Sequence, residues 1–300
     1  MQKVVTFSWC TYRNWSFEVL EGLVSDPRLK CASILTTPDC TYDFSIFEAK
    51  GIRIFRLPPK QSLGAESEFV QHIAEYKPDC LFFYGWSWIV PPSIHDKYLC
   101  VTLHPGKLPD DRGGSPLQNQ IRNGETWSLA NLIELGEKLD GGDIFASEKF
   151  SLTGDINDVW ARMTATGVFV TKKFLEQIAG GSLTRKVQTE LGKIYKRVLP
   201  SQAEIKLGEQ PALLISNIIR AHNENDPNTY VKKAYLKHKG FELVLTKAQL
   251  TSPSCRVVAL ASVDDFYELS HLTNNEEACL LLRANDDKDV YVTQFRVHGQ

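Results

Sequence analysis

The chain has 300 residues, 43% of them apolar, and 34 basic against 36 acidic side chains leave a formal net charge of −2. That is enough chain for two modest domains or one large one with a full core, and a balance that does not steer the protein toward nucleic acid or an anionic lipid surface. Seven cysteines without a CxxC pair argue against a disulfide framework or a zinc site, and no apolar run reaches the length of a signal or spanning segment, so a soluble cytoplasmic protein is expected.

In chain order, Val4–Phe7 reads as a first strand and Trp15–Val24 as a helix. Cys31–Leu35, Ile52–Phe55, Cys80–Tyr84 and Cys100–Leu103 read as further strands, with a helix over Glu66–Tyr76 between them. This alternation predicts a Rossmann-like, doubly wound and mostly parallel α/β sheet. A hairpin-like pair follows at Trp127–Leu135 and Ile144–Phe150. Ile156, Trp160, Met163, Gly167, Val170, Phe174 and Ile178 then recur at helical spacing, with Asp155 or Asn157 as cap and Gly180-Gly181 as stop. The composition changes near residue 185. The expected organisation is a first domain over 1–185, a linker over 186–202 and a smaller β-rich domain over 203–300. The last comprises a helix at Ala212–Asn223 and strands at Phe241–Thr246, Arg256–Ala261, Ala278–Leu282 and Val290–Phe295.

Chemistry concentrates in LCVTLHPGKLPDDRGGSPLQNQIRNGE. In a parallel sheet the carboxyl ends of the strands face the ligand crevice, which places His104 there. Gly113-Gly114 allows close backbone approach, and Ser115-Pro116 opens a helix whose first amides favour an anion or oxyanion. Further on, Leu139-Asp140-Gly141-Gly142 is a tight turn able to aim Asp140 inward. A carboxylate beside an imidazole fixes its tautomer, so His104 and Asp140 form a candidate acid/base couple. Either motif alone is commonplace; their combination around RGGSP is far more specific.

These residues resemble the folate-dependent formyltransferase family. Its hallmarks are N-x-H, a Leu-Pro loop with R-G followed by proline, and a later L-D-x-G aspartate. Here they read Thr102-Leu103-His104, Lys107-Leu108-Pro109, Arg112-Gly113-Gly114-Ser115-Pro116 and Leu139-Asp140-Gly141-Gly142. Leu81–Ile94 is similar to the family's folate-crevice stretch, and Lys196-Arg197 with Asn217–Ala221 is more weakly similar to the opening of its C-terminal domain. The resemblance implies direct transfer of the formyl group of 10-formyltetrahydrofolate, with no metal, to an amine. It implies His104, Asp140 and Thr102 as catalytic residues. Tyr84, Gly85, Trp86, Trp88, Ile89, Leu139, Gly141 and Gly142 would contact the folate, and Arg112, Gly113, Ser115, Trp9 and Tyr12 the acceptor. Trp86 and Trp88 are equally readable as packing residues. Arg112 is readable as an acceptor-phosphate anchor or as a brace on Asp110 or Asp111. Thr102 is a departure, because the family has asparagine there to polarise the formyl oxygen.

Among acceptors, the charge balance and the absence of a basic insert in LTTPDCTYDFSIFEAKGIRIF favour a UDP- or dTDP-linked amino sugar over transfer RNA. The alternatives are methionyl-tRNA, an amino-acid or siderophore amine, and a non-catalytic folate-binding protein prompted by Thr102. No nucleic acid or membrane partner is expected; a homodimer is, by analogy with sugar-modifying relatives.

Overall fold

The structure is a computed structural model that describes residues 3–225, 232–263, 271–273 and 278–298. The chain divides into two compact units, and each draws on three segments of sequence. The first comprises Met1–Gly113, Ser128–Phe150 and Trp160–Ile194; the second comprises Gly114–Trp127, Ser151–Val159 and Tyr195–Gln300.

The elements run β1 (Val5–Cys10), α1 (Asn14–Glu21), β2 (Leu29–Thr36), α2 (Ser45–Glu48), β3 (Arg53–Arg56), α3 (Pro59–Ser62), α4 (Glu68–Tyr76), β4 (Cys80–Phe83), α5 (Pro92–His95) and β5 (Cys100–Pro105). There follow β6 (Arg112–Gly113), α6 (Pro116–Arg122), β7 (Trp127–Glu134), β8 (Ile144–Ser151) and α7 (Ile156–Ala179). The chain continues through β9 (Ile194–Tyr195), β10 (Glu204–Ile205), α8 (Ala212–Ala221), β11 (Tyr235–His238), β12 (Phe241–Gln249), β13 (Arg256–Ala259), β14 (Ala278–Arg283) and β15 (Asp289–His298).

The first unit is built on a seven-stranded sheet of order β3-β2-β1-β4-β5-β7-β8. From β3 to β5 neighbouring strands are parallel, and β7 runs antiparallel to β5 with His104 opposite Asn131. The expected doubly wound sheet is therefore present, and the expected hairpin pair forms its antiparallel edge. The central strands are mainly apolar because both faces are covered, and the polar Ser8 and Ser33 are buried against each other at 2.9 Å. Phe7, Trp9, Phe82 and Phe174 are completely buried, and the Trp9 ring lies 4.8 Å from Phe82 and 4.6 Å from Tyr84. Helix α7 starts where expected, with Asp155 Oδ1 accepting the amides of Asn157 and Asp158 at 2.8 and 3.1 Å. Its Gly167 permits close approach to the sheet: a Cβ there would meet the Leu103 side chain at 2.8 Å. Strand order reverses between β1 and β4, so the crevice of such a sheet opens at the carboxyl ends of these strands and of β5.

The second unit contains a six-stranded sheet of order β10-β11-β12-β15-β14-β13. Helix α8 lays Ile215, Ile218 and Ile219 into a core with Leu243, Leu245, Leu280, Val290 and Val292. The expected boundary at residue 185 is not where contacts divide. The 114–127 and 151–159 segments belong with the C-terminal sheet, because α6 packs on α8 and Arg220 of α8 binds the carbonyls of Gly154 and Leu152 at 2.7 and 2.5 Å. The expected linker likewise carries β9. Strands β9 and β10 have two residues each, too few for any periodicity to show.

Candidate active site

His104 sits at the end of β5, 5% exposed. Its Nε2 donates to the Asp111 carbonyl at 2.6 Å, and its Nδ1 lies 3.5 Å from Asp140 Oδ2. Both neighbours are acceptors, so a ring with protons on both nitrogens satisfies both contacts. The Asp111 carbonyl reaches the ring only because residue 106 is glycine. A Cβ on Gly106 would stand 2.5 Å from that carbonyl oxygen and 2.9 Å from Nε2. The 107–111 loop is closed by the Lys107 amide donating to Asp111 Oδ2 at 3.0 Å.

Asp140 occupies a left-handed backbone conformation, φ 48°, which among residues with a Cβ aspartate and asparagine tolerate best. Its Oδ2 accepts the Gly113 amide at 2.8 Å, and Gln188 Nε2 donates to the carbonyls of Asp140 and Gly142 at 3.1 and 2.7 Å. Gly142 is required sterically, since a Cβ there would lie 2.0 Å from the Glu134 carbonyl oxygen. Gly141 is half-buried and Leu139 is 58% exposed at the turn. The glycines thus press the turn against β7 and the Gly113 amide holds the carboxylate beside His104.

Thr102, two residues before His104 on β5, donates its hydroxyl proton to the Phe83 carbonyl at 2.7 Å. That proton ties β5 to β4, so Thr102 would have to exchange the Phe83 carbonyl for the formyl oxygen to act as the expected donor. Two assignments do change. Trp9 is fully buried, its Nε1 donating to Ser16 Oγ at 2.9 Å, and Tyr84 is fully buried with its hydroxyl 2.7 Å from Thr171 Oγ1. Neither touches the crevice; both fill the core under it. Burial pushes the Tyr84 phenol well up from its ordinary pKa. Arg112 is 6% exposed, and its Nη1 and Nη2 donate to the carbonyls of Leu139 and Gly192 at 3.2 and 2.8 Å. These bonds go to backbone carbonyls rather than to Asp110 or Asp111, and its buried Nε has no hydrogen-bond partner among the described residues. Ser115 belongs to the second unit, where it opens α6 with φ 47° and its hydroxyl accepts the Val198 amide at 3.1 Å.

The remaining expected residues gather at the switch point. Tyr12 follows β1; Gly85, Trp86, Trp88 and Ile89 follow β4. Trp88 lies 4.9 Å from the Tyr12 ring and 5.0 Å from the Trp86 ring, and the Tyr12 hydroxyl is 2.7 Å from Ser87 Oγ. Arg13 covers the other side of Tyr12, its guanidinium carbon 4.6 Å from the ring centre. Gly85, φ 65°, makes the turn, and a Cβ there would clash with the Arg13 side chain at 2.7 Å. Trp86 Nε1 is buried and has no hydrogen-bond partner, and Ile89 is 91% exposed. An aromatic shelf with an exposed aliphatic edge fits a flat heterocycle.

Sequence reasoning passed over three contributors: Gly106, the Asp111 carbonyl, and Asn131. Asn131 is buried opposite His104 on β7. Its Nδ2 donates to the Gly106 carbonyl at 2.5 Å and its Oδ1 accepts Ser147 Oγ at 2.6 Å. An asparagine inside the apolar run LANLIE was the available signal. Cysteine chemistry is unsupported here: burial, then Glu134, pushes the Cys100 thiol up to about 12, and burial raises Cys10 well above its ordinary value.

Comparison with known proteins bears on the family and the fold. The profile of the formyl transferase family matches residues 23–174. Methionyl-tRNA formyltransferase of Moorella thermoacetica is 31% identical over 206 residues, which is 66% of this chain; the match spans 63% of that protein's length. Methionyl-tRNA formyltransferase from Clostridium thermocellum superimposes with a TM-score of 0.61 at 21% identity, over 82% of this chain and 94% of that one. WlaRD, a sugar 3N-formyl transferase whose structure was determined in the presence of dTDP and 5-N-formyl-THF, superimposes with a TM-score of 0.66 at 13% identity, over 97% of this chain and 98% of its own. With its family profile matching half the chain, this protein belongs to the formyl transferase family.

Proposed function

We propose that the chain transfers the formyl group of 10-formyltetrahydrofolate to the amine of a nucleotide-linked amino sugar. The observation that carries the reaction is the His104–Asp140 pair, 3.5 Å apart at the strand end. The shelf of Tyr12, Trp86 and Trp88 would hold the pterin. In the reaction a new bond forms between the acceptor nitrogen and the formyl carbon, and the bond from that carbon to the folate nitrogen breaks. The acceptor amine gives up one proton and the departing nitrogen gains one. Asp140, fixed by the Gly113 amide, is placed to hold that proton in transit and to orient His104. His104 Nε2–H, exchanging the Asp111 carbonyl for the formyl oxygen, would stabilise the charge developing there. Binding both reactants in one crevice supplies the proximity contribution.

For the acceptor, support comes from the fold match to WlaRD along nearly its whole length and from the segment after β2. No lysine or arginine occurs between Cys31 and Lys50, and Asp39 and Asp43 are both exposed there. That is poor ground for an RNA backbone. The methionyl-tRNA relatives favour the second reading, in which transfer RNA is the acceptor.

The experiment mixes purified protein, 10-formyltetrahydrofolate and a panel of UDP- and dTDP-linked amino sugars, with methionyl-tRNA alongside. Mass spectrometry then looks for the gain of one CO. Gain on a sugar nucleotide supports the proposal, and gain on methionyl-tRNA alone replaces its acceptor. His104→Ala and Asp140→Asn are expected to lose at least about a hundredfold in turnover while keeping the wild-type far-UV spectrum. Full turnover in both variants would remove the pair from the mechanism.

A further inference from the structure

A second concave site lies in the first unit at the opposite edge of the sheet from His104, where β2 and β3 begin. It is a cavity of about 390 Å³ lined by eleven residues, among them Lys30, Lys50, Arg53, His72 and Tyr76. No lining residue is acidic. None of the three cations forms a salt bridge among the described residues. Lys30 Nζ lies 5.5 Å from the centre of the Tyr76 ring, Arg53 stacks 4.6 Å over Phe55, and Lys50 is exposed at the turn before β3. The floor is apolar, made by Cys31, Ala32 and Ile52, all buried or nearly so. His72 stacks between Phe55 and Tyr76, at 5.3 and 5.6 Å, and its buried Nε2 has no hydrogen-bond partner.

Three like charges in one small cleft repel one another, and on a chain of net charge −2 they stand against the average. An anion seated among them removes that repulsion. The apolar floor lowers the local dielectric and strengthens each contact relative to open surface. A single phosphate would occupy little of this volume and meet few of these cations together. A linear di- or triphosphate offers several charged oxygens in a row for Lys30 of β2, Lys50 at the turn and Arg53 of β3. We propose that this cleft binds a polyphosphate group, free or carried by a nucleotide, independently of the formyl-transfer site.

Calorimetric titration of the full chain with sodium tripolyphosphate at low ionic strength tests the assignment. One site is expected, weakening as salt is added. The Lys50→Ala/Arg53→Ala double variant should bind at least about tenfold more weakly, the loss expected for two charged hydrogen-bond partners. Lys60→Ala, which removes an exposed cation outside the cleft, should bind like wild type. The His72 ring resonances should shift on titration of the wild type and not of the double variant. Absence of binding, wild-type affinity in the double variant, or an equal loss in Lys60→Ala would each overturn the proposal. ATP and inorganic tripolyphosphate compared side by side distinguish a nucleotide-borne from a free polyphosphate. Formyl transfer by the double variant should match wild type, so failure here leaves the proposed reaction standing.

Discussion

His104 illustrates how little of a site's chemistry lies in the reacting side chain alone. Its two nitrogens face acceptors that neighbouring residues hold in place: the Asp111 carbonyl admitted by Gly106, and the Asp140 carboxylate pinned by the Gly113 amide. Thr102 contrasts with it. Its hydroxyl proton is already given to the Phe83 carbonyl, so it braces β5 and β4. Thr102→Val is therefore expected to cost about 1 kcal/mol of stability, the loss of one hydrogen bond, with turnover kept within about threefold. Removal of a true oxyanion donor would instead lower turnover by about a hundredfold or more. Denaturant unfolding and steady-state rates on the same variant decide between the two, and a hundredfold loss of turnover would restore Thr102 to the chemistry.

Among the elements, α6 and α8 hold a polar contact with a pH signature. His222, at the end of α8, is completely buried; Nδ1 donates to the Lys232 carbonyl at 3.0 Å and Nε2 accepts Arg122 Nη1 at 3.0 Å. Burial, with Arg122 adding to it, lowers its pKa from 6.5 to about 4. Above 6.5 the ring is neutral folded or unfolded and contributes nothing. Between 6.5 and 4 the unfolded chain takes up a proton that the folded chain refuses, so stability falls as the pH falls. The full penalty is on the order of 3 kcal/mol. Urea unfolding at neutral pH and near the lower end of that window should show a larger pH-dependent loss for wild type than for His222→Gln. Equal losses would show that His222 does not titrate in this way.

Considered whole, the molecule interleaves its units along the chain. The segment 114–127, inside the region expected to form the first domain, contributes α6 to the second unit, and 152–154 contributes the carbonyls that bind Arg220. A fragment comprising residues 203–300 therefore leaves the face of α8 that α6 covers without its partner helix. Expressed alone it is expected to bind a hydrophobic dye strongly and to unfold with low cooperativity, unlike the full chain. A fragment with a sharp thermal transition and no dye binding would contradict that division.

The parallel sheet, the long helix and the strand-end position of His104 were legible in the sequence, because each follows from local pattern. Strands covered on both faces must be mainly apolar, α7 must repeat at helical spacing, and a polar residue ending such a strand must reach the sheet's carboxyl edge. The glycines of the Asp140 turn were legible for the same reason. What remained hidden depends on groups far apart in the chain. Trp9 and Tyr12 are alike in composition, yet one fills the core and the other joins the shelf. Arg112 is readable from the sequence as an anchor or as a brace on Asp110 or Asp111, and only the fold brings the carbonyls of Leu139 and Gly192 to it. Local periodicity carries no information about which distant carbonyl will meet a guanidinium, or which segment will cover a helix; chain topology and close packing assign those partners.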